Sequence, residues 1–219
     1  MKNQKFKIYS LVVLGSIFIG NVAYSEGENN LYLKTGIGII SGYHKFEPKI
    51  NGQEQKLSNG SSDSPEYELG LEFTKDFNEN VEFGVGLAYQ FNSKVKKYNS
   101  SNMGRYNSLP LYILGKYKFD SSDSGVTPYL KANLGYSFNI NEKNGYGNFN
   151  GINKKYKVNA ENGVYIGLGA GIEYNNFIVD LMYQVSSSKA SISGDGIKSD
   201  KDFFNSGKVT LGVGYKFSY

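Results

Sequence analysis

The chain has no cysteine, which removes disulfide scaffolds, zinc–thiolate sites and thiol nucleophiles together. It has no tryptophan, one histidine (His44) and one arginine (Arg105). A nucleic-acid binder needs a face rich in arginine and lysine, so no nucleic-acid partner is expected. Long apolar runs are scarce too. After the N-terminal segment, no stretch reaches the ~18 consecutive apolar residues of a membrane helix. This does not exclude a membrane protein built of strands, because a tilted strand crosses a bilayer in ~9–11 residues.

The first 25 residues read as a secretory signal peptide. Lys2, Lys5 and Lys7 precede the apolar run YSLVVLGSIFIGNV, which is too short to span a bilayer, and Ala23-Tyr24-Ser25 places small residues at its exit. Cleavage is expected after Ser25, leaving residues 26–219 as a single domain. Three of the 24 basic residues lie in the signal, so 21 basic residues face 20 acidic ones in the remainder and the mature chain is close to neutral.

What the chain does have is 27 glycines, 19 tyrosines and 14 phenylalanines. Its last stretch, KVTLGVGYKFSY, alternates without error. Val209, Leu211, Val213, Tyr215, Phe217 and Tyr219 are apolar, and the residues between them are small, polar or charged. The same period of two recurs in segments 31–43, 65–74, 81–91, 108–119, 127–139, 163–174, 177–186 and 208–219. The connections alternate as well. Segments 75–80, 120–125 and 175–176 are tight turns, whereas 44–64, 92–104, 140–162 and 187–207 are long. Long loops at one end and short turns at the other are the pattern of outer-membrane barrels. The expected fold is therefore all-β: an eight-stranded antiparallel transmembrane barrel.

A soluble barrel also alternates, with its apolar face inward. Three features favour the opposite sense. Glycines such as Gly36, Gly70, Gly86, Gly167 and Gly212 share the polar face with Tyr32, Tyr112, Tyr129 and Tyr165, as a crowded narrow interior requires. Aromatic residues such as Tyr67, Phe91, Tyr117, Phe138, Tyr174 and Phe177 share the apolar face and gather near strand ends, as membrane girdles do. The polar face carries Lys34, Lys116, Lys118, Lys131, Lys208 and Lys216 together with Glu66, Glu68, Glu72, Glu82, Glu173 and Asp180. Equal numbers of each sign suit a closed lumen in which buried charges pair. Turned to lipid, each midplane lysine would cost ~2–4 kcal/mol.

Val213, Tyr215, Phe217 and Tyr219 resemble the C-terminal signature of outer-membrane barrels, with tyrosine where the family usually has phenylalanine. PYLKANLGYSF (128–138) resembles a strand of the OmpA-like and opacity-type barrels, with Lys131-Ala132-Asn133 in place of a glycine-rich middle. The resemblance implies residence in the outer membrane among lipid and lipopolysaccharide, and recognition of the terminal segment by the barrel assembly machinery.

Chemistry is sparse. His44 lies near Ser41 and Glu47, but a lone rim histidine is ordinarily a solvated polar residue. Asp195, Asp200 and Asp202 are interleaved with Lys198 and Lys201 and lack the spacing of a calcium loop. The chain is expected to be neither an enzyme nor a holder of metal or cofactor. Eight strands are too few for a general porin; a narrow, low-conductance pore is the alternative reading. The four long connections hold roughly 80 residues, and loops of that length are usually functional or disordered. Lys94, Lys96, Lys97 and Arg105 make the second loop basic, and Lys154, Lys155 and Lys157 surround Tyr156 in the third. These residues are candidate contacts for lipopolysaccharide phosphates or for an anionic ligand on a host or other surface. A monomeric, structural or adhesin-like surface protein is the expected function.

Overall fold

Each alternating segment forms a strand, because period-two patterning buries one face and leaves the other for a second environment. In the computed structural model the described residues are 28–44, 49–50, 53–54, 60–62, 64–93, 107–140, 145–149, 152–194 and 197–219. The proposed signal peptide lies outside them. Eight principal strands follow in chain order: β1 (Asn29–His44), β2 (Glu66–Asp76), β3 (Val81–Phe91), β4 (Asn107–Lys118), β5 (Thr127–Ile140), β6 (Gly163–Tyr174), β7 (Phe177–Gly194) and β8 (Asp202–Ser218). Each pairs antiparallel with the next, and β8 returns to β1 from Asn30↔Ser218 to His44↔Asn205. The barrel is closed, so no strand edge meets lipid.

The faces sort as expected for a membrane. Large apolar side chains point outward, among them Leu33, Leu71, Ile113, Leu134, Leu168 and Val213. Aromatic residues bracket them. Phe83, Tyr117, Phe119, Phe177, Tyr215 and Phe217 lie toward the end that bears the termini, and Tyr67, Tyr89, Phe91, Tyr136 and Phe138 toward the loops. Neighbouring rings touch, as in Tyr117–Phe119 at 5.1 Å and Tyr215–Phe217 at 4.8 Å between centroids. From Phe83 to Phe91 a tilted strand rises about 20 Å, close to the height of an outer-membrane apolar band.

Besides the run of β2 through Lys75 and Asp76, which the sequence assigns to a turn, the structure departs from the sequence reading in two places. A bulge between Gly38 and Ile40 inserts Ile39, so Ile39 and Ile40 are both exposed and the inward parity of β1 reverses beyond them. The third and fourth connections are also largely strand rather than loop. β7 runs on to Gly194, β8 begins at Asp202, and the hairpin Gly145–Phe149 with Ile152–Ala160 adds to β7 through Lys157↔Ser193 and Ala160↔Ala190. Beyond the lipid, backbone pairing needs no apolar face, so these stretches carry no alternating signal.

Candidate functional site

The lumen is filled by side chains that interlock in three tiers. At the end bearing the termini, Lys116 lies 3.0 Å from Glu82 and 3.9 Å from Glu173, and Lys216 pairs with Glu173. Lys118 reaches Asp76 at 3.1 Å and Glu82 at 3.4 Å. The Tyr32 hydroxyl donates to Glu82 at 2.9 Å, and the Lys116 ammonium sits 3.8 Å from the Tyr32 ring centroid and 4.7 Å from that of Tyr129.

In the middle tier Lys131 pairs with Glu72, and Lys34 pairs with Asp180 and lies 3.8 Å from Glu72. Tyr112 donates to Glu72 at 2.9 Å and Tyr129 to Asp180 at 3.2 Å. Gly86 makes room for this arrangement, since a Cβ there would come within 2.3 Å of the Tyr112 ring.

Toward the loops, Gln90 donates to Glu68 at 2.7 Å and to Gln184 at 2.8 Å, with Lys208 3.8 Å from Glu68. Glu66 is held differently, accepting from the Ser62 hydroxyl at 2.8 Å and the Ser93 backbone N–H at 3.3 Å. The space among Ser41, Glu66, Gln90, Asn92, Gln184 and Lys208 amounts to about 10 Å³, roughly one water molecule.

The twelve charged residues singled out from the sequence thus all line one lumen. Sequence reasoning misses Asp76: the segment 75–80 reads as a turn, although Asp76 continues the inward parity of Glu72 and Thr74. It also gives no role to Gln90 and Gln184, because uncharged amides leave no mark in a charge count. At the terminal seam, Asn29 N–H donates to Tyr219 O at 3.2 Å and Tyr219 N–H to Asn29 O at 3.0 Å. Val213, Tyr215, Phe217 and Tyr219 all face outward beside β1.

Of the loop candidates, Lys94, Lys96, Lys97 and Arg105 lie outside the described residues. Lys154 and Lys155 are placed by backbone pairing with Gly147 and Tyr146, and Lys157 is exposed opposite Ser193. The His44 backbone pairs with Asn205, and its side chain lies outside the description. Ser41 donates to Ser62 at 2.6 Å. Among the described residues no three metal-ligating side chains converge.

A closed eight-stranded barrel with an apolar exterior and a charged, packed lumen defines a small transmembrane barrel. The chain belongs to the outer membrane protein beta-barrel domain family, whose pattern it matches over residues 9–217. It is 28% identical to an uncharacterized protein of Pasteurella multocida (strain Pm70), covering 99% of both chains. It is 24% identical to outer membrane protein W of Vibrio cholerae serotype O1 over 68% of this chain and 69% of that one. Neisserial surface protein A superposes with a TM-score of 0.46 at 16% identity, covering 88% of this chain and all of that one (100%). The family places the protein in the outer membrane, and its short turns on the periplasmic side.

Proposed function

We propose that this barrel is a non-enzymatic, monomeric surface protein that acts through its external end, with a rigid barrel as its base. The filled lumen carries the reading. Three tiers of ion pairs and hydrogen bonds cross it among the described residues, and the space among Ser41, Glu66, Gln90 and Lys208 holds about one water molecule. Above the membrane band, β7, β8 and the strand Ile152–Ala160 form a raised stem. Lysines at 154, 155 and 157 on that stem suit a ligand rich in phosphate or sulfate, whether lipopolysaccharide or a polyanion on a host surface.

Two measurements test this together. The folded protein in a planar bilayer is expected to show no discrete conductance. Binding to an immobilised sulfated polysaccharide is expected to fall when residues 145–160 are replaced by a short turn while the barrel still folds. Conductance steps that change with Glu72→Gln or Lys131→Met would overturn the reading in favour of a narrow pore.

A further inference from the structure

One part of the outward face is not convex. Strand register places Lys75, Phe83, Gly115, Ala132 and Leu168 in one row across β2 to β6. The adjacent row is Val81, Tyr117, Leu130, Ala170 and Leu181. Gly115, Ala132 and Ala170 bring one side-chain atom or none, whereas Phe83, Tyr117, Leu130 and Leu168 stand out around them. The result is an open apolar depression of about 780 Å³ in the lipid-facing band. The Phe83 ring leans over the glycine, since a Cβ at Gly115 would lie 3.3 Å from it.

Lys75 heads the first of these rows. It continues the outward parity of Leu69, Leu71 and Phe73, yet it is only 6% exposed. Phe83 faces it across the strand pair, and Phe77 meets Phe83 edge-on at 6.0 Å. Among the described residues its ammonium has no hydrogen-bond or ion-pair partner. An outward lysine is tolerable at the interface, where it costs ~0–1 kcal/mol and its ammonium reaches the headgroups.

The row climbs from that interface into the membrane. Lys75 is next to last in β2, Phe83 is third in β3 and Ala132 is sixth in β5. Its four strand spacings measure about 19 Å, so with strands tilted about 40° it climbs roughly 12 Å, within the ~15 Å of one hydrocarbon leaflet.

We infer that Lys75 and the Gly115–Ala132–Ala170 depression form one site for an anionic glycerophospholipid of the periplasmic leaflet. The phosphate lies on the Lys75 ammonium, and one acyl chain passes the Phe83 ring to lie over Gly115, Ala132 and Ala170. A cationic group at one end and an apolar depression of small residues beyond Phe83 suit this occupant better than a second copy of the chain, which would have to seat a facing surface in the depression.

The test is native mass spectrometry of protein extracted from outer membranes, with phosphatidylglycerol or phosphatidylcholine added in detergent. The wild type is expected to retain one phosphatidylglycerol in preference to phosphatidylcholine. Lys75→Gln should lower phosphatidylglycerol retention roughly fivefold, to the phosphatidylcholine level. Ala132→Phe, which fills the depression, should lower retention of both lipids. Lys189→Gln, an exposed position at the opposite end of β7 over the Phe203 ring, should change neither. Heat-modifiable migration establishes that each variant is folded. The inference fails if folded Lys75→Gln keeps its phosphatidylglycerol, if Ala132→Phe keeps both lipids, or if a dimer appears that Ala132→Phe abolishes.

Discussion

Glu72 shows how a single lumen residue is constrained. It is 3% exposed, pairs with Lys131, lies near Lys34 and accepts from Tyr112. Breaking a buried pair from one side strands the other charge, which costs about 3–5 kcal/mol. Glu72→Gln is therefore expected to lower stability in urea unfolding of the refolded barrel by about 3 kcal/mol or more. Adding Lys131→Met should recover about 1–3 kcal/mol of that loss, because the two residues are coupled. Simple addition of the two single effects would show that the pair is not a unit. At this scale the sequence told which residues face inward. It did not tell which lysine meets which carboxylate, because partners such as Lys34 and Asp180 lie 146 positions apart and meet only across the closed lumen.

At the scale of the element, the β6–β7 hairpin turns on Asn175 and Asn176, with φ of 46° and 72°. Two consecutive positive φ values match the right-handed twist of the flanking strands, and asparagine tolerates that region better than most residues. The Asn176 side chain also donates to Lys216 O at 3.0 Å. Asn176→Gly and Asn176→Ala both lose that bond, so the difference between them isolates the backbone cost. The alanine variant is expected to be less stable than the glycine variant by about 1 kcal/mol in the same unfolding assay; equal stabilities would count against a left-handed turn. The turn was legible as Asn-Asn between two alternating runs. The bulge at Ile39 was not, since an extra isoleucine among apolar neighbours looks like ordinary strand. Nor were the extended ends of β7 and β8, where SSSKASIS carries no alternation to read.

For the whole molecule, closure is the decisive event. β8 completes the cylinder against β1, and the Asn29–Tyr219 bonds fasten the last rung. Truncation after Lys216 removes Phe217 and Tyr219 from the girdle and leaves Asn30 without its Ser218 partner, whose hydroxyl donates to Asn30 at 2.6 Å. The truncated chain is expected to yield several-fold less heat-modifiable protein in the outer membrane, an open seam being costly in lipid. Tyr219→Phe, which keeps the outward aromatic, is expected to assemble normally. Equal yields from both variants would remove any special role for the terminal segment.

Eight membrane-crossing strands, the sense of their faces and the end at which the long connections emerge are all readable from the residues alone. Those follow from a period-two pattern and from the cost of placing lysine in hydrocarbon, both of which are local and additive. How the lumen pairs into three tiers follows only from the folded barrel. It alone placed Asp76 and Gln90 within those tiers and set Lys75 at the head of a trough on the lipid face. These depend on register around a closed cylinder, where residues far apart in the chain become neighbours and no local pattern records the meeting.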